Sequence, residues 1–266
     1  MKDSSKGLKR IDNSFIMELR RMEGKLVRMR HDLVEREFPG EEVITPYGTF
    51  FLSTRSAAEF PEMRKPLDRF MGIFKNPRKI RYGVSRIASR NPCKSLFLDI
   101  ETTGLSSRCP IFLCGLMYFD GFGFRFEQLL ARDFSEEAPM LYYLGERLGE
   151  FELLITFNGR SFDLPYILDR MAYHGIRLPR GLMDRNYDVL LYSRRKWKGR
   201  VTNCKLQTLE KEICGRRRMG DIPSSLIPET YQEFIGSGDV SLLKPIMYHN
   251  LIDLVSMAEL IAALLD

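Results

Sequence analysis

The segment Leu96-Phe97-Leu98-Asp99-Ile100-Glu101-Thr102-Thr103-Gly104 constrains this chain more than any other. Side chains alternate along a strand, so Leu96, Leu98 and Ile100 share one face while Phe97, Asp99 and Glu101 share the other. Two carboxylates thus stand side by side at the C-terminal end of a strand with the composition of a buried one. Away from water they repel each other and lose hydration, and something cationic must compensate. A Lys or Arg partner is one answer. A divalent ion with oxygen ligands is the other, and Thr102-Thr103-Gly104 favours it by letting the backbone turn closely around the site.

Two further segments deliver acids. In Leu154-Ile155-Thr156-Phe157-Asn158-Gly159-Arg160-Ser161-Phe162-Asp163 a strand ends, Asn-Gly turns the chain, and Ser161 is placed to cap a helix. Asp163 in that first turn would offset the helix dipole on its own account. Were its strand beside the first one, it would aim at the same pocket. In Tyr248-His249-Asn250-Leu251-Ile252-Asp253 a helix places His249 and Asp253 one turn apart on a face shared with Ile246, Asn250, Met257 and Leu260. A carboxylate on so apolar a stripe is costly unless paired, and His249 or a backbone group could pair it in a purely structural role. Taken singly, these two segments read as structural. Taken with the first, they give four carboxylates, enough to hold two divalent ions, Mg2+ or Mn2+, about 4 Å apart around a phosphodiester. His249, titrating near neutrality, would accept a proton from the attacking water.

The surrounding pattern predicts an α/β fold. Three strands (Ser95–Glu101, Ile111–Phe119, Phe122–Leu130) are joined by tight connections such as Asp120-Gly121, which favours antiparallel pairing. A helix over Ala138–Leu148, started at Ser135, leads to a fourth strand at Leu153–Phe157, and a strand reached through a helix favours parallel pairing. Tyr187–Leu191 fits a fifth strand or a helix start. Helices are predicted over Lys205–Cys214 and Ser241–Leu265. The result is a mixed sheet, three antiparallel strands then parallel ones, flanked by helices.

Ahead of this lies a basic stretch. Residues 1–94 hold 21 of the 41 Lys/Arg but 12 of the 35 Asp/Glu, a net of +9, whereas the remainder carries −3. Residues 1–90 are therefore expected to form a basic N-terminal extension, a helix over Ile16–Glu37 followed by short strands around Thr45-Pro46-Tyr47-Gly48, and residues 91–266 the main domain, with Asn91-Pro92 at the boundary. Such an extension suits a polyanion, and Arg78, Lys79 and Arg81 are its expected phosphate contacts. Thr102, Thr103, Asn158 and Arg160 are expected to meet nucleic acid at the acids, and Arg194, Arg195 and Trp197 to grip a single strand by charge and stacking. A solvated basic loop with Trp197 packed inward is the structural alternative. Arg216-Arg217-Arg218 reads as a solvated run with phosphate contact as the alternative, Asp188 as structural or as support for the acids, and His31 and His174 as surface or capping residues.

Five cysteines without a CxxC pair argue against zinc and for reduced thiols. No apolar stretch follows the N-terminal Met, and no window approaches 18 uncharged apolar residues, so a cytoplasmic protein without a membrane span is expected.

The three acidic motifs, in this order, resemble those of the DEDD exonucleases of the ribonuclease H-like superfamily: Asp99-Ile100-Glu101, then Asn158 to Asp163, then His249 with Asp253. The nearest resemblance is to the YprB-type branch. It extends to Pro39–Gly48, Asp221-Ile222-Pro223, Ile227-Pro228-Glu229-Thr230-Tyr231 and His249–Leu254, and so covers residue 39 onward. It implies a ribonuclease H-like fold and two-metal phosphodiester hydrolysis, usually from a 3′ end. One departure bears on the base. Better-known branches place Tyr four residues before the last Asp or His five before it, while here His249 is four before and Tyr248 five before. On a helix, His249 lies about 40° from Asp253 and Tyr248 about 140°, so His249 is the favoured base and Tyr248 the alternative. A 3′-5′ exonuclease is the leading expectation. A structure-directed endonuclease and a non-catalytic nucleic-acid-binding module are the alternatives, and the full set of acids with His249 argues against the last.

Overall fold

The computed structural model describes residues 13–75 and 81–266, with side chains described from residue 21 onward except residue 23. Helix α1 (Asn13–Glu37) precedes the hairpin β1 (Glu41–Thr45) and β2 (Gly48–Ser56). Then come α2 (Pro61–Met71), the short α3 (Ser85–Ala88), β3 (Ser95–Thr102), β4 (Ile111–Phe119), β5 (Phe124–Leu130), α4 (Glu137–Gly149) and β6 (Leu153–Thr156). The chain closes with α5 (Asp163–Tyr173), β7 (Asn186–Asp188), α6 (Val189–Trp197), α7 (Leu206–Ile213), α8 (Ile227–Ser237) and α9 (Leu243–Ala263).

The seven strands form one sheet in the order β1-β2-β5-β4-β3-β6-β7. The short connections after β3 and β4 give antiparallel pairs, and the helical crossovers place β6 parallel to β3 and β7 parallel to β6. The alternation in β3 holds. Leu96, Leu98 and Ile100 enter a core with α4, α5 and α8, while Phe97 enters a second core on the other face with α2, α6, α7 and α9. That second face carries Asp99 and Glu101, and α9 lies across it.

Residues 1–90 were expected to form a basic extension of a helix and short strands, and their described part builds into the same sheet and cores. β2 pairs with β5 from Phe51 opposite Leu130 to Ser56 opposite Arg125. Phe50 and Phe51 are fully buried in one core, and Met63, Leu67 and Phe70 of α2 in the other. The shift in charge at Asn91-Pro92 marks a change in surface, whereas the apolar faces of β2 and α2 have nowhere to bury except on this sheet. Arg78 and Lys79 lie outside the described residues.

Local details also differ. Asp133, not Ser135, caps a single 3-10 turn ahead of α4. Ser161 caps nothing, since α5 begins at Asp163 without a side-chain cap. Residues 186–191 contain both predicted elements: β7 ends at Asp188, whose carboxylate accepts from the Leu190 amide and starts α6. α9 belongs to a stretch, Val240–Ala263, that by length and composition could cross a membrane (mean hydropathy 1.2), although Lys244, Asp253 and Glu259 interrupt it and no 18-residue run in it is uncharged. Its apolar window is 89% buried within the fold, which is why it is hydrophobic nearly all round.

Candidate active site

The acids converge. Asp99, Glu101, Asp163 and Asp253, with His249, line one cleft of about 740 Å³. Each arrives by a local device. β3 presents Asp99 and Glu101 at its C-terminal end, where the ladder shifts register after Glu101 and the strand leaves the sheet. β6 runs beside β3 and hands Asp163 to the same end through the turn at Asn158. Asn158 adopts the left-handed conformation that asparagine tolerates, and a Cβ on Gly159 would lie 2.3 Å from Thr156 Oγ1, so that position must be glycine. Asp188, at the end of β7, accepts from the Asn158 amide at 2.9 Å and the Arg160 amide at 3.3 Å and fixes the turn. Its role is therefore structural and also supports Asp163.

α9 supplies the third side. Gly115 of β4 is paired with Asp99, and a Cβ there would fall 2.0 Å from Asn250 Oδ1. Through that gap Asn250 Nδ2 donates to Asp99 Oδ2 at 2.9 Å, while its Oδ1 accepts from Gln128 Nε2 at 3.0 Å. Gln128 also donates to the Met247 carbonyl at 2.8 Å. These bonds set the rotation of α9 and hence the direction of His249 and Asp253. His249 Nδ1 lies 2.8 Å from Asp221 Oδ1, and Nε2 lies 3.6 Å from Asp253 Oδ2 and 3.3 Å from Ser224 Oγ.

Burial and mutual repulsion load the cleft with unfavourable charge. Burial, then the charges of Asp253, Glu101 and Asp163, hold Asp99 well above the usual carboxylate range, with Asn250 working the other way. Burial pushes Glu101 up to about 8 despite the nearby His249, and Asp163 up to about 7 despite its own amide and that of Ile100. For His249, burial acts to lower the pKa, but the Asp221 hydrogen bond and the charges of Asp253, Glu101 and Asp221 prevail and raise it. Asp253 differs, because Arg218 Nη2 lies 2.5 Å from its Oδ1. Asp99, Glu101 and Asp163 have no such partner among the described residues.

Residues 96–265 match the family model of the RNase H superfamily. The chain belongs to the RNase H superfamily. It is also similar to the Bacillus subtilis (strain 168) protein YprB, 35% identical over 168 residues, which is 62% of this chain and 40% of that protein. The chain thus spans about two fifths of the length of that curated relative. Among solved structures it is similar to the family B DNA polymerase from the hyperthermophilic archaeon Pyrobaculum calidifontis, at 21% identity and a TM-score of 0.49, covering 64% of this chain and 24% of that one. The RNase H superfamily match begins at Leu96, so β1 and β2 join the sheet, and α2 packs on its face, from ahead of the matched region.

The cleft has a donor set suited to a hard divalent cation: carboxylate oxygens, three of them with no Lys or Arg partner among the described residues. A tighter group exists elsewhere, where ligand atoms of His31, Glu42 and Glu136 all lie within 4.8 Å of one another. Arg132 already satisfies that group, with Nη2 at 2.5 Å from Glu42 and 2.6 Å from Glu136. The cleft acids are more widely spread than that. Ions each held by one or two carboxylates, with water completing the shell, fit them better than a closed cage.

Placement divides the other expected residues. Asn158 and Arg194 line the cleft, as does His249, whereas Tyr248 is half-buried against the core that holds α2. Thr102 and Thr103 turn away, their hydroxyls donating to the Gly104 and Pro110 carbonyls. Arg160 and Arg81 are exposed outside the cleft lining. Trp197 is 5% exposed and takes the structural alternative, and Arg195 packs over the Tyr192 ring. Arg216 and Arg218 are not a solvated run: they pair with Glu210, Glu259, Asp221 and Asp253. His31 and His174 are half-buried against Asp133 and Glu137. All five cysteines are free. The sequence reading missed the roles of Asn250, Gln128, Gly115, Asp221 and Arg218. Asn250 and Asp221 sat inside quoted motifs, and nothing in the sequence marked Gln128 or Gly115.

Proposed function

We propose that this chain is a metal-dependent nuclease, a 3′-5′ exonuclease acting on nucleic acid with a single-stranded end. Asp99, Glu101, Asp163 and Asp253 hold two ions, Mg2+ or Mn2+, and His249 is the general base. The observation that carries this reading is the meeting of four carboxylates from three separate segments in one cleft, three of them with no Lys or Arg paired to them among the described residues. Superfamily membership supports a nuclease-type hydrolase. When bound, the ions would supply Lewis acidity at the attacking and leaving oxygens of a phosphodiester.

The chain's own groups supply the rest. With Nδ1–H donated to Asp221, His249 in its neutral form, which cations on the neighbouring carboxylates would favour against its raised pKa, offers Nε2 on the cleft side to take the proton of the attacking water. Arg194 and Lys198 on the cleft wall neutralise phosphates, and Asn158 offers an amide. Phe157, Phe162 and Leu206 give the terminal base an apolar surface.

The test is degradation of end-labelled single- and double-stranded DNA and RNA with Mg2+ or Mn2+. A ladder growing from the 3′ end is the expected result. Internal fragments from the outset would indicate an endonuclease, and retention without cleavage a binding module.

A further inference from the structure

The acidic cleft lies beyond the C-terminal ends of β3, β6 and β7. A separate cavity of about 400 Å³ lies ahead of the start of β7, bounded by α4, the α5–β7 connection and the β1–β2 turn. Six of its residues bear on its chemistry: Tyr47, Tyr142, Glu146, Arg177, Arg180 and Arg185.

Arg185 is the anomaly. Its Nη1 donates to the Phe151 carbonyl at 2.6 Å, but its Nε is buried without a partner. Burial alone pushes its pKa below the usual arginine value, with no carboxylate offsetting it. Arg147 and Arg170, also withdrawn from water, each meet a glutamate, at 2.9 Å from Glu127 in the first case. A guanidinium partly withdrawn from water without a counter-ion is costly, and an anion in the cavity would relieve that cost. Arg177 and Arg180 are exposed on the same rim with no carboxylate paired to them among the described residues. Beside them Tyr47 and Tyr142 form an aromatic shelf, ring centroids 5.4 Å apart, and Tyr47 is 41% exposed.

We propose that this cavity binds a phosphate-bearing nucleotide unit, either a free mononucleotide or one residue of a strand. Arg185, Arg177 and Arg180 hold the phosphate as guanidinium forks do. The base lies against the tyrosine shelf, where stacking tolerates any base. Glu146 accepts from a base amine or a ribose hydroxyl. The site is independent of the acidic cleft and uses none of its residues.

Calorimetric titration in EDTA, with 5′-AMP, adenosine and a pentanucleotide as probes, tests this. Saturable binding is expected for AMP or for the pentanucleotide, with adenosine at least about tenfold weaker than AMP. Saturation by AMP identifies a mononucleotide site, and saturation by the pentanucleotide alone identifies a strand contact. In the Arg177→Ala/Arg180→Ala double variant, whose side chains are exposed, binding should fall at least about tenfold while the melting temperature and metal-dependent cleavage stay unchanged. The proposal is overturned if neither AMP nor the pentanucleotide saturates at millimolar concentration, if AMP saturates but adenosine binds as well, or if the double variant binds like the parent. Loss of cleavage activity in the parent would bear on the nuclease reading alone.

Discussion

Asn250 on α9 donates its side-chain amide to the carboxylate of Asp99 at 2.9 Å, through the space that Gly115 leaves in the neighbouring strand. Asn250, the residue after the candidate base His249, thus ties the last motif to the first. We predict that Asn250→Ala weakens Mn2+ binding about 10–100-fold, the usual effect of removing a group that orients a metal ligand. Calorimetric titration with Mn2+ measures it. Unchanged affinity alongside a lowered melting temperature would reduce Asn250 to a packing role.

Asp99→Asn should abolish cleavage and at the same time stabilise the metal-free protein at pH 8. The substitution removes the ionisable group whose charged form burial, then the charges of Asp253, Glu101 and Asp163, disfavour. A gain of about 1 kcal/mol corresponds to about 2–4 °C for a chain of this size. Scanning calorimetry in EDTA reads the gain directly, and a lower melting temperature would argue that Asp99 has an unrecognised cationic partner.

The pH profile follows from the same shifts. Asp99, Glu101 and Asp163 are all raised, the last two to about 8 and about 7. Unfolded carboxyls titrate near pH 4. The folded state therefore binds more protons between those limits, and the stability this brings is complete below about pH 4 and lost as pH rises through 7 and 8. The metal-free melting temperature should fall from pH 5 to pH 8, and Mg2+ should restore more of it at pH 8 than at pH 5. A melting temperature that climbs over this window in EDTA, with the added ion making no difference, would contradict the assignment.

Arg218→Ala should destabilise the fold by about 3–5 kcal/mol, because Glu210, Asp221 and Asp253 would lose the guanidinium they share. Chemical denaturation measures it. A loss below about 1 kcal/mol would mean that the three acids are solvated, as at an exposed ion pair.

Arg194 and Trp197 sit three residues apart and should behave oppositely. Trp197→Ala removes a buried ring and should cost about 3–5 kcal/mol of stability. Arg194→Ala should leave stability alone and reduce the salt-dependence slope of oligonucleotide binding by about 1. Equal binding slopes for Arg194→Ala and the parent would remove Arg194 from the nucleic-acid path.

Much of the fold was legible because period and chemistry agreed. The alternation in Leu96–Glu101 named the buried face and the acidic face, and short connections against helical ones gave the antiparallel and parallel pairs. Caps were less legible, since Asp133 competes with Ser135 and no side chain caps α5. The basic stretch misled because charge composition describes a surface and does not say what lies beneath it: β2 and α2 bury their apolar faces in the same cores as the matched domain.

By itself, the sequence determined which residues could carry the chemistry, since only carboxylates on apolar strands and helices leave an energetic debt that a cation must answer. Tertiary structure alone decided how they meet. The rotation of α9 rests on Gln128, Gly115 and Asn250, drawn from three elements far apart in the chain. The choice of Arg218 as partner to Asp253, and of Trp197 as core, rests on which side of a basic run faces inward. Local spacing cannot encode these outcomes, because each is a contact between segments whose relative position is fixed only once the whole sheet has packed.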